Sequence, residues 1–158
     1  MLTTLLLKEE CGYDEAFNYR IETDYDPALT KHFPDGIDVY FDNVGGKMLE
    51  AVLNNYANYG ARIALCGMIS EYNKVWTERG GVRNLLNMVG KEIMMKGFMV
   101  GSYYNHFEEF IKEMEVHLRE GKIKSKHKIY NSVDSFLESL ASLFSSSNVG
   151  KVILQVTP

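Results

Sequence analysis

Short apolar runs alternate with helical patterns of apolar residues, and this alternation limits the possible folds more than any other feature of the sequence. Residues 37–41, 62–66 and 94–100 each predict a strand, and the near-continuous apolar run at 62–66 predicts one that is buried on both faces. After the first of these runs, apolar residues recur at helical spacing from Met48 to Tyr56, toward Gly60. Strands that alternate with helices form parallel sheets with crossover helices. The predicted fold class is therefore α/β, with helices on both faces of a parallel sheet.

Weaker patterns predict the remaining elements. Helices are expected over residues 4–11, 26–33 and 82–90, and a short strand over residues 16–19. Apolar residues at 107, 110, 111, 114 and 118 predict a long helix, and a similar pattern at 133–144 predicts another. A final strand is expected over residues 149–156. No linker, repeat or low-complexity segment divides residues 1–158, so the sequence predicts one domain.

Composition excludes several functional classes. The chain has 17 basic and 21 acidic residues, a net charge of −4, so it lacks the basic excess that nucleic-acid binding needs. Its apolar runs are far shorter than the roughly 20 residues of a membrane helix, which predicts no membrane association. Two distant cysteines predict no disulfide framework, and the first residues do not resemble a signal peptide. We therefore expect a cytoplasmic protein.

Glycine-containing loops follow three of the predicted strands, at residues 42–46, 66–72 and 101–104. In parallel sheets, ligands bind at the carboxyl ends of the strands, and glycine allows a ligand to approach the backbone closely. These glycines are equally typical of ordinary turns between a strand and a helix, and the pattern alone leaves both interpretations open.

Other motifs are missing or ambiguous. The sequence has no G-x-G-x-x-G, P-loop, H-E-x-x-H or nucleophile elbow, and its four histidines lack ligand spacing, which predicts no metal site. Cys66 is either a small buried apolar residue or a cofactor contact. Tyr72 is more typical of a packing residue in a loop, and Trp76 of a local lid or anchor, than of a catalytic group.

Several segments together carry a specific resemblance. Residues 17–19, 33–49, 66–73, 96–98, 119–123 and 148–151 resemble the NADP-dependent 2-alkenal (double-bond) reductases of plants. These are zinc-independent members of the medium-chain dehydrogenase/reductase superfamily, related to leukotriene dehydrogenase/prostaglandin reductases. The resemblance extends over about residues 8–156 and implies a partial Rossmann-like domain, the C-terminal part of such an enzyme. The N-terminal GroES-like substrate domain and the Gly-rich phosphate turn are absent from this sequence.

The resemblance also implies roles for individual residues. Reductases of this family pass a hydride from NADPH to the β-carbon of an α,β-unsaturated aldehyde or ketone, which leaves an enolate. Tyr72 matches the catalytic tyrosine, which contacts the nicotinamide ribose and faces the enone. A positioned acid of this kind typically contributes about 10²–10⁴-fold. The positions that match the NADP(H) site are Tyr19, Asn43, Cys66, Tyr72, Phe98 and Asn148.

The sequence departs from the family at two places that bear on activity. The lysine for the 2′-phosphate would fall near Thr3 or Thr4, and Glu71 stands where glutamine is usual. Loss of one charged hydrogen bond weakens NADP binding by roughly ten- to a hundredfold. Because the substrate domain and the phosphate turn are missing, we expect little reductase activity from this chain alone. The expected partners are a small α,β-unsaturated carbonyl substrate and a second copy or a full-length paralogue. A non-catalytic dimerisation protein and a quinone or other enone reductase are the alternatives.

Overall fold

The computed structural model describes residues 2–145 and 148–156, with the backbone alone for residues 2 and 3, and it forms two compact units. The sheet unit is Phe17–Glu108. The terminal unit joins residues 2–16 to residues 109–145 and 148–156. The side chain of Thr3, one of the two positions considered for the family's lysine, lies outside the described atoms.

Short helices and strands follow one another along the chain. The α-helices are α1 (Leu2–Glu9), α2 (Tyr25–His32), α3 (Gly46–Ala51), α4 (Leu86–Gly90), α5 (Phe107–Arg119) and α6 (Phe136–Phe144). The strands are β1 (Ile37–Asp42), β2 (Ala57–Leu65), β3 (Met94–Gly97), β4 (His127–Asn131) and β5 (Lys151–Gln155). A π-helical turn covers Val52–Tyr56, and 3₁₀ turns cover Trp76–Glu78, Val100–His106 and Val133–Ser135. None of the helices among the described residues is both long and apolar enough to cross a bilayer.

All paired strands are parallel. In the sheet unit the strand order is β1-β2-β3, with Tyr40 opposite Ile63 and Ile63 opposite Met95. In the terminal unit β4 pairs with β5, with Tyr130 opposite Leu154. Parallel strands connected through helices confirm the predicted α/β class.

The core of the sheet unit lies between α3 with its π-helical turn and one face of the sheet. Leu49, Val52 and Leu53 are at most 1% exposed and pack in one cluster with Ile63 of the central strand. Burying an aliphatic side chain of this size contributes about 1.5–3 kcal/mol, so these contacts hold the sheet and the helix together. The loops that leave β1 and β2 start from this rigid base.

The start of β2 corrects one expectation. The helical pattern continues only to Tyr56, and the strand begins at Ala57 rather than after Gly60. Ile37 pairs with Ala57 while Val39 pairs with Arg62, so β2 contains a bulge. Gly60 lies in the bulge with φ +74°, a conformation that other residues rarely adopt. The glycine therefore marks a bulge in the strand and not the end of a helix.

Three further expectations differ from the structure. Residues 16–19 form no strand, because Asn18 accepts a hydrogen bond from Arg20 N–H at 3.0 Å and turns the chain. The helix expected over 82–90 begins only at Leu86, after a turn at residues 83–85 from which the Asn84 side chain donates to Glu50 O at 3.0 Å. Strand β4 was not predicted at all. Its sequence, HKIYN, carries too few apolar residues for a strand pattern.

Candidate functional site

The loop that follows β1 is shaped by the buried side chain of Asp42. Its Oδ1 accepts hydrogen bonds from Val44 N–H at 2.8 Å, Gly45 N–H at 2.9 Å and the Tyr40 hydroxyl at 3.1 Å. Its Oδ2 is buried and has no hydrogen-bond partner among the described residues. Burial, together with the neighbouring Asp42 carboxylate, raises the pKa of the Tyr40 hydroxyl. Asp42 thus fixes the backbone at the carboxyl end of β1.

Two glycines allow the loops after β1 and β2 to touch. Gly45 and Gly46 have φ of +67° and +57°, in the left-handed region that favours glycine. A Cβ on Gly45 would lie 2.9 Å from Met68 Cε, and one on Gly46 would lie 2.8 Å from Ser70 Oγ. Ser70 N–H also donates to Val44 O at 3.1 Å. The two loops therefore form one continuous surface at the edge of the sheet.

Tyr72 folds back over the end of β2. Its hydroxyl oxygen accepts a hydrogen bond from Met68 N–H at 3.1 Å, while its side chain as a whole remains 62% exposed. Because the hydroxyl accepts this bond through a lone pair, its own proton stays available for a ligand. Gly67 lies directly beneath the hydroxyl, since a Cβ on Gly67 would be 2.8 Å from the oxygen.

Glu71 is a buried carboxylate next to Tyr72 in the same loop. Only 8% of the residue is exposed. Its Oε1 accepts from Lys74 Nζ at 2.9 Å and from Ser70 Oγ at 3.2 Å, and its Oε2 accepts from Gly80 N–H at 2.9 Å. The bond from Lys74 is the largest cause that lowers the pKa of Glu71, and the Gly80 and Ser70 bonds act in the same direction. Glu71 is therefore ionised at neutral pH.

An open cavity of about 1370 Å³ lies where β2 and β3 end. Its lining combines apolar and aromatic side chains, four glycines and a few polar groups. The lining residues are Leu65, Cys66, Gly67, Met68, Glu71, Tyr72, Trp76, Thr77, Arg79, Gly80, Gly81, Gly97, Phe98, Met99 and Ser102. This is the position at which parallel α/β sheets bind ligands.

The structure brings together three of the predicted site residues. Cys66, Tyr72 and Phe98 all line the cavity. Asn43 lies next to the cavity residue Gly67: its carbonyl oxygen is 3.3 Å from the point where a Cβ on Gly67 would stand. Tyr19 is not among the lining residues; it is 58% exposed in a turn.

Asn148 belongs to the terminal unit. Its Nδ2 donates to Ser142 Oγ at 2.9 Å, and its Oδ1 is buried without a hydrogen-bond partner among the described residues. Ser142 in turn donates to Ser139 O at 2.6 Å within α6. The predicted roles of all six site residues stay predictions, including those of Cys66, Tyr72 and Phe98, which line the cavity.

Sequence reasoning missed part of the cavity. Arg79 lines it, with its guanidinium carbon 5.9 Å from the centre of the Trp76 ring. Trp76 itself is 82% exposed, as a lid or rim residue would be, and does not pack as an anchor. The Gly80-Gly81 pair was the available signal for a backbone that lies close to a ligand. Nothing in the local sequence signals that Glu71 reaches Gly80.

No metal ligand set is evident in this part of the chain. Among residues 2–145 and 148–156, no three His, Cys, Asp or Glu side chains come close enough together to hold a metal ion.

Comparison with known proteins gives one family and several relatives. A model of the family described as "Zinc-binding dehydrogenase" matches residues 5–116. Over 152 residues the chain is 46% identical to (+)-pulegone reductase of Mentha piperita and 46% identical to 2-alkenal reductase (NADP(+)-dependent) of Nicotiana tabacum. Each match covers 96% of this chain but only 44% and 43% of the respective relatives. The chain thus spans less than half the length of these relatives.

A solved structure shares the fold. The chain is similar to CurA from Vibrio vulnificus, whose crystal structure was determined in complex with NADPH, with a TM-score of 0.86 and 31% sequence identity. That match covers all of this chain and 48% of CurA.

Proposed function

The chain belongs to the zinc-binding dehydrogenase family, and from this premise we propose that it is the C-terminal, NADP(H)-binding part of an alkenal reductase. The reaction would be the NADPH-dependent reduction of the C=C bond of an α,β-unsaturated aldehyde or ketone. Two relatives at 46% identity carry the names of reductases, and one of these names is an NADP-dependent 2-alkenal reductase. The observation that carries the proposal is the placement of Tyr72, Cys66 and Phe98 around one cavity at the carboxyl ends of parallel strands.

The cavity residues fit the nicotinamide end of such a cofactor. Gly97, which lines the cavity, has no atom within 4 Å of the place where a Cβ would stand, so its backbone is open to a flat ligand. The Phe98 ring is held edge-on by Phe41 at 6.0 Å and Tyr103 at 5.9 Å, measured between ring centroids. Cys66 completes a small, mainly apolar wall beside it. A fixed aromatic ring and open backbone suit a planar ring system.

The assigned roles follow from these positions. When bound, the cofactor supplies a hydride to the β-carbon of the enone. The Tyr72 hydroxyl holds a proton that its bond from Met68 N–H does not use, and it is therefore placed to hydrogen-bond the developing enolate oxygen or to deliver its proton.

We propose that the chain by itself turns over slowly. The sequence has no G-x-G-x-x-G turn, and the side chain at Thr4 carries no charge for a 2′-phosphate. The pyrophosphate and the 2′-phosphate would then depend on contacts outside the cavity. A cytoplasmic location stays a prediction.

The deciding experiment is a calorimetric titration of the purified chain with NADPH, with NADH as the matched control. Binding with a preference for NADPH would support the proposal, and profiling with alkenals and quinones would then separate an alkenal reductase from a quinone reductase. Absence of binding to either nucleotide would overturn the proposal for this chain. Rapid NADPH-dependent reduction of a 2-alkenal by the pure chain would instead overturn the slow turnover.

A second proposal is self-association, which would make the chain an interaction protein. One face of the sheet exposes apolar side chains, with Val39 72%, Phe41 58% and Met94 62% accessible, and it also carries Arg62 and Lys96. Within the sheet unit β3 pairs with β2 alone, so its outer edge is available for pairing with a second copy or a full-length paralogue. Light scattering that gives the mass of a monomer at high concentration would contradict this proposal.

A further inference from the structure

The segment from Lys74 to Gly80 is attached to the rest of the site mainly through Glu71. Lys74 Nζ and Gly80 N–H, at the two ends of this segment, both donate to the Glu71 carboxylate at 2.9 Å. The two bonds use different oxygens, so the carboxylate closes the segment into a loop. The segment between them carries Trp76 and Arg79, which line the cavity.

The burial of the Glu71 carboxylate distinguishes these bonds from a fully exposed ion pair, while the Lys74 side chain is 42% accessible. Exposed pairs contribute little to stability, because water competes with both partners. Glu71 is only 8% exposed, and its Oε1 also lies 3.3 Å from where a Cβ on Gly46 would stand, against the start of α3. Hydrogen bonds to a charged acceptor in such a place are roughly twice as strong as neutral ones.

Because Lys74 and Gly80 donate to its two different oxygens, this loop suits a carboxylate better than the carboxamide that is usual in the family. The single Ser70 hydroxyl proton is shared between Val44 O at 2.7 Å and Glu71 Oε1 at 3.2 Å. An ionised carboxyl group has acceptors only, whereas a carboxamide would point its own NH₂ donors at one of these partners.

We propose that Glu71 is a positioning residue: by binding both ends of the segment 74–80, it holds Trp76 and Arg79 as one wall of the cavity and so sets how tightly a ligand is bound. The inference rests on the proposed function for the identity of that ligand as NADPH. The attachment itself can be tested without any ligand.

The charged groups around Glu71 fix the direction of its pH dependence. Lys74 lies on its own loop, Lys47 and Tyr25 line a small hollow of about 210 Å³ with it, and Arg79 lines the large cavity. Glu71 is the one carboxylate among the lining residues described for these two cavities. Protonation of Glu71 removes its negative charge and turns one of its two accepting oxygens into an O–H donor, which weakens its bonds to both ends of the segment.

Trp76 provides the readout, because it is the one tryptophan of the chain. We expect Glu71→Gln to lower the fluorescence anisotropy of Trp76. Lys74→Met, which leaves Glu71 in place, should give a smaller change in the same direction. The matched control is Glu78→Gln, which removes the same charge from an exposed carboxylate within the same segment and should resemble the wild type.

Acid titration adds a readout that a merely structural role would not move. The anisotropy of Trp76 in the wild type should fall as Glu71 is protonated. In the Glu71→Gln variant it should be low already at neutral pH and should not change with acid. Far-UV circular dichroism checks that the fold persists. In the NADPH titration we expect Glu71→Gln to bind about tenfold more weakly than Glu78→Gln.

The outcomes separate the two proposals. Equal Trp76 anisotropy in the wild type, Glu71→Gln and Glu78→Gln would overturn the positioning role, whether or not NADPH binds. A wild-type chain that does not bind NADPH, with a clear loss of anisotropy in Glu71→Gln, would overturn the proposed function and leave the attachment of the segment supported.

Discussion

The hydroxyl oxygen of Tyr72 lies 2.8 Å from the point where a Cβ on Gly67 would stand. Real Cβ atoms essentially never come this close to another heavy atom, so the phenol occupies the space that glycine leaves free. The same oxygen accepts the N–H of Met68 at 3.1 Å. The position of the proposed catalytic hydroxyl is therefore set by the backbone at the end of β2.

We expect Gly67→Ala to displace the Tyr72 ring and break its bond with Met68. NADPH binding, measured by calorimetry, should weaken, and the free energy of unfolding should fall by about 1–3 kcal/mol, as for other overpacked sites. Gly90→Ala is the control, since nothing lies within 4 Å of the added methyl group. Unchanged binding in Gly67→Ala would show that the tyrosine does not contact the ligand.

Tyr72→Phe tests the chemical role of the hydroxyl. NADPH affinity should change by less than about threefold, because the ring remains in place. Any NADPH-dependent reduction of a 2-alkenal should fall by about 10²–10⁴-fold, toward the background rate. Tyr104→Phe, outside the cavity lining, is the control. A large loss of affinity with an unaltered turnover rate would argue for a binding role alone.

Asp42→Ala should destabilise the sheet unit strongly. The substitution leaves the N–H groups of Val44 and Gly45 without their acceptor, and each such group costs about 1–3 kcal/mol when it is not rehydrated. Urea unfolding should show a loss of about 2 kcal/mol or more. Asp14→Ala, at an exposed position, should stay within about 0.5 kcal/mol of the wild type. Equal stability of the two variants would contradict the assigned role of Asp42.

Alkaline pH should destabilise the protein through Tyr40. Its pKa is raised in the folded state by burial and by Asp42, so the unfolded chain loses this proton first. The stability that this difference in pKa contributes is fully present below the ordinary tyrosine pKa of about 10, and it is lost as the pH rises above that value. Urea unfolding at about pH 8 and about pH 11 should show a smaller loss in Tyr40→Phe than in Tyr13→Phe, an exposed control. An equal loss of unfolding free energy in both variants would show that groups other than Tyr40 cause the alkaline destabilisation.

The parts of the fold that the sequence predicted are those with a strong apolar pattern. The apolar residues of strands β1 and β3 and of helix α5 follow clear patterns, so the sequence located these elements to within a few residues. Gly60 misled the prediction because a glycine at the end of an apolar run is typical of a helix end, while its actual role depends on pairing with β1. Local patterns do not contain information about a partner strand.

The candidate site was predictable in its backbone and less so in its contacts. The loops at 42–46 and 66–72 follow strands and carry glycines, which indicated their place at the sheet edge. The roles of Tyr72 and Phe98 came from the resemblance. The bond from Gly80 to Glu71 joins residues nine positions apart through an irregular segment, and no periodicity predicts such a contact.

The π-helical turn Val52–Tyr56 enters β2 without a single connecting residue. A π turn is an α-helix that holds one residue more than the regular winding allows. Deleting one residue here would either rotate α3 by about 100° or slip β2 by one position, and a slip exchanges the two faces of a strand. After such a slip of β2, Ile63 would face water and Arg62 would face the core. The fold therefore constrains the number of residues in this turn more strictly than it constrains the identity of the exposed ones.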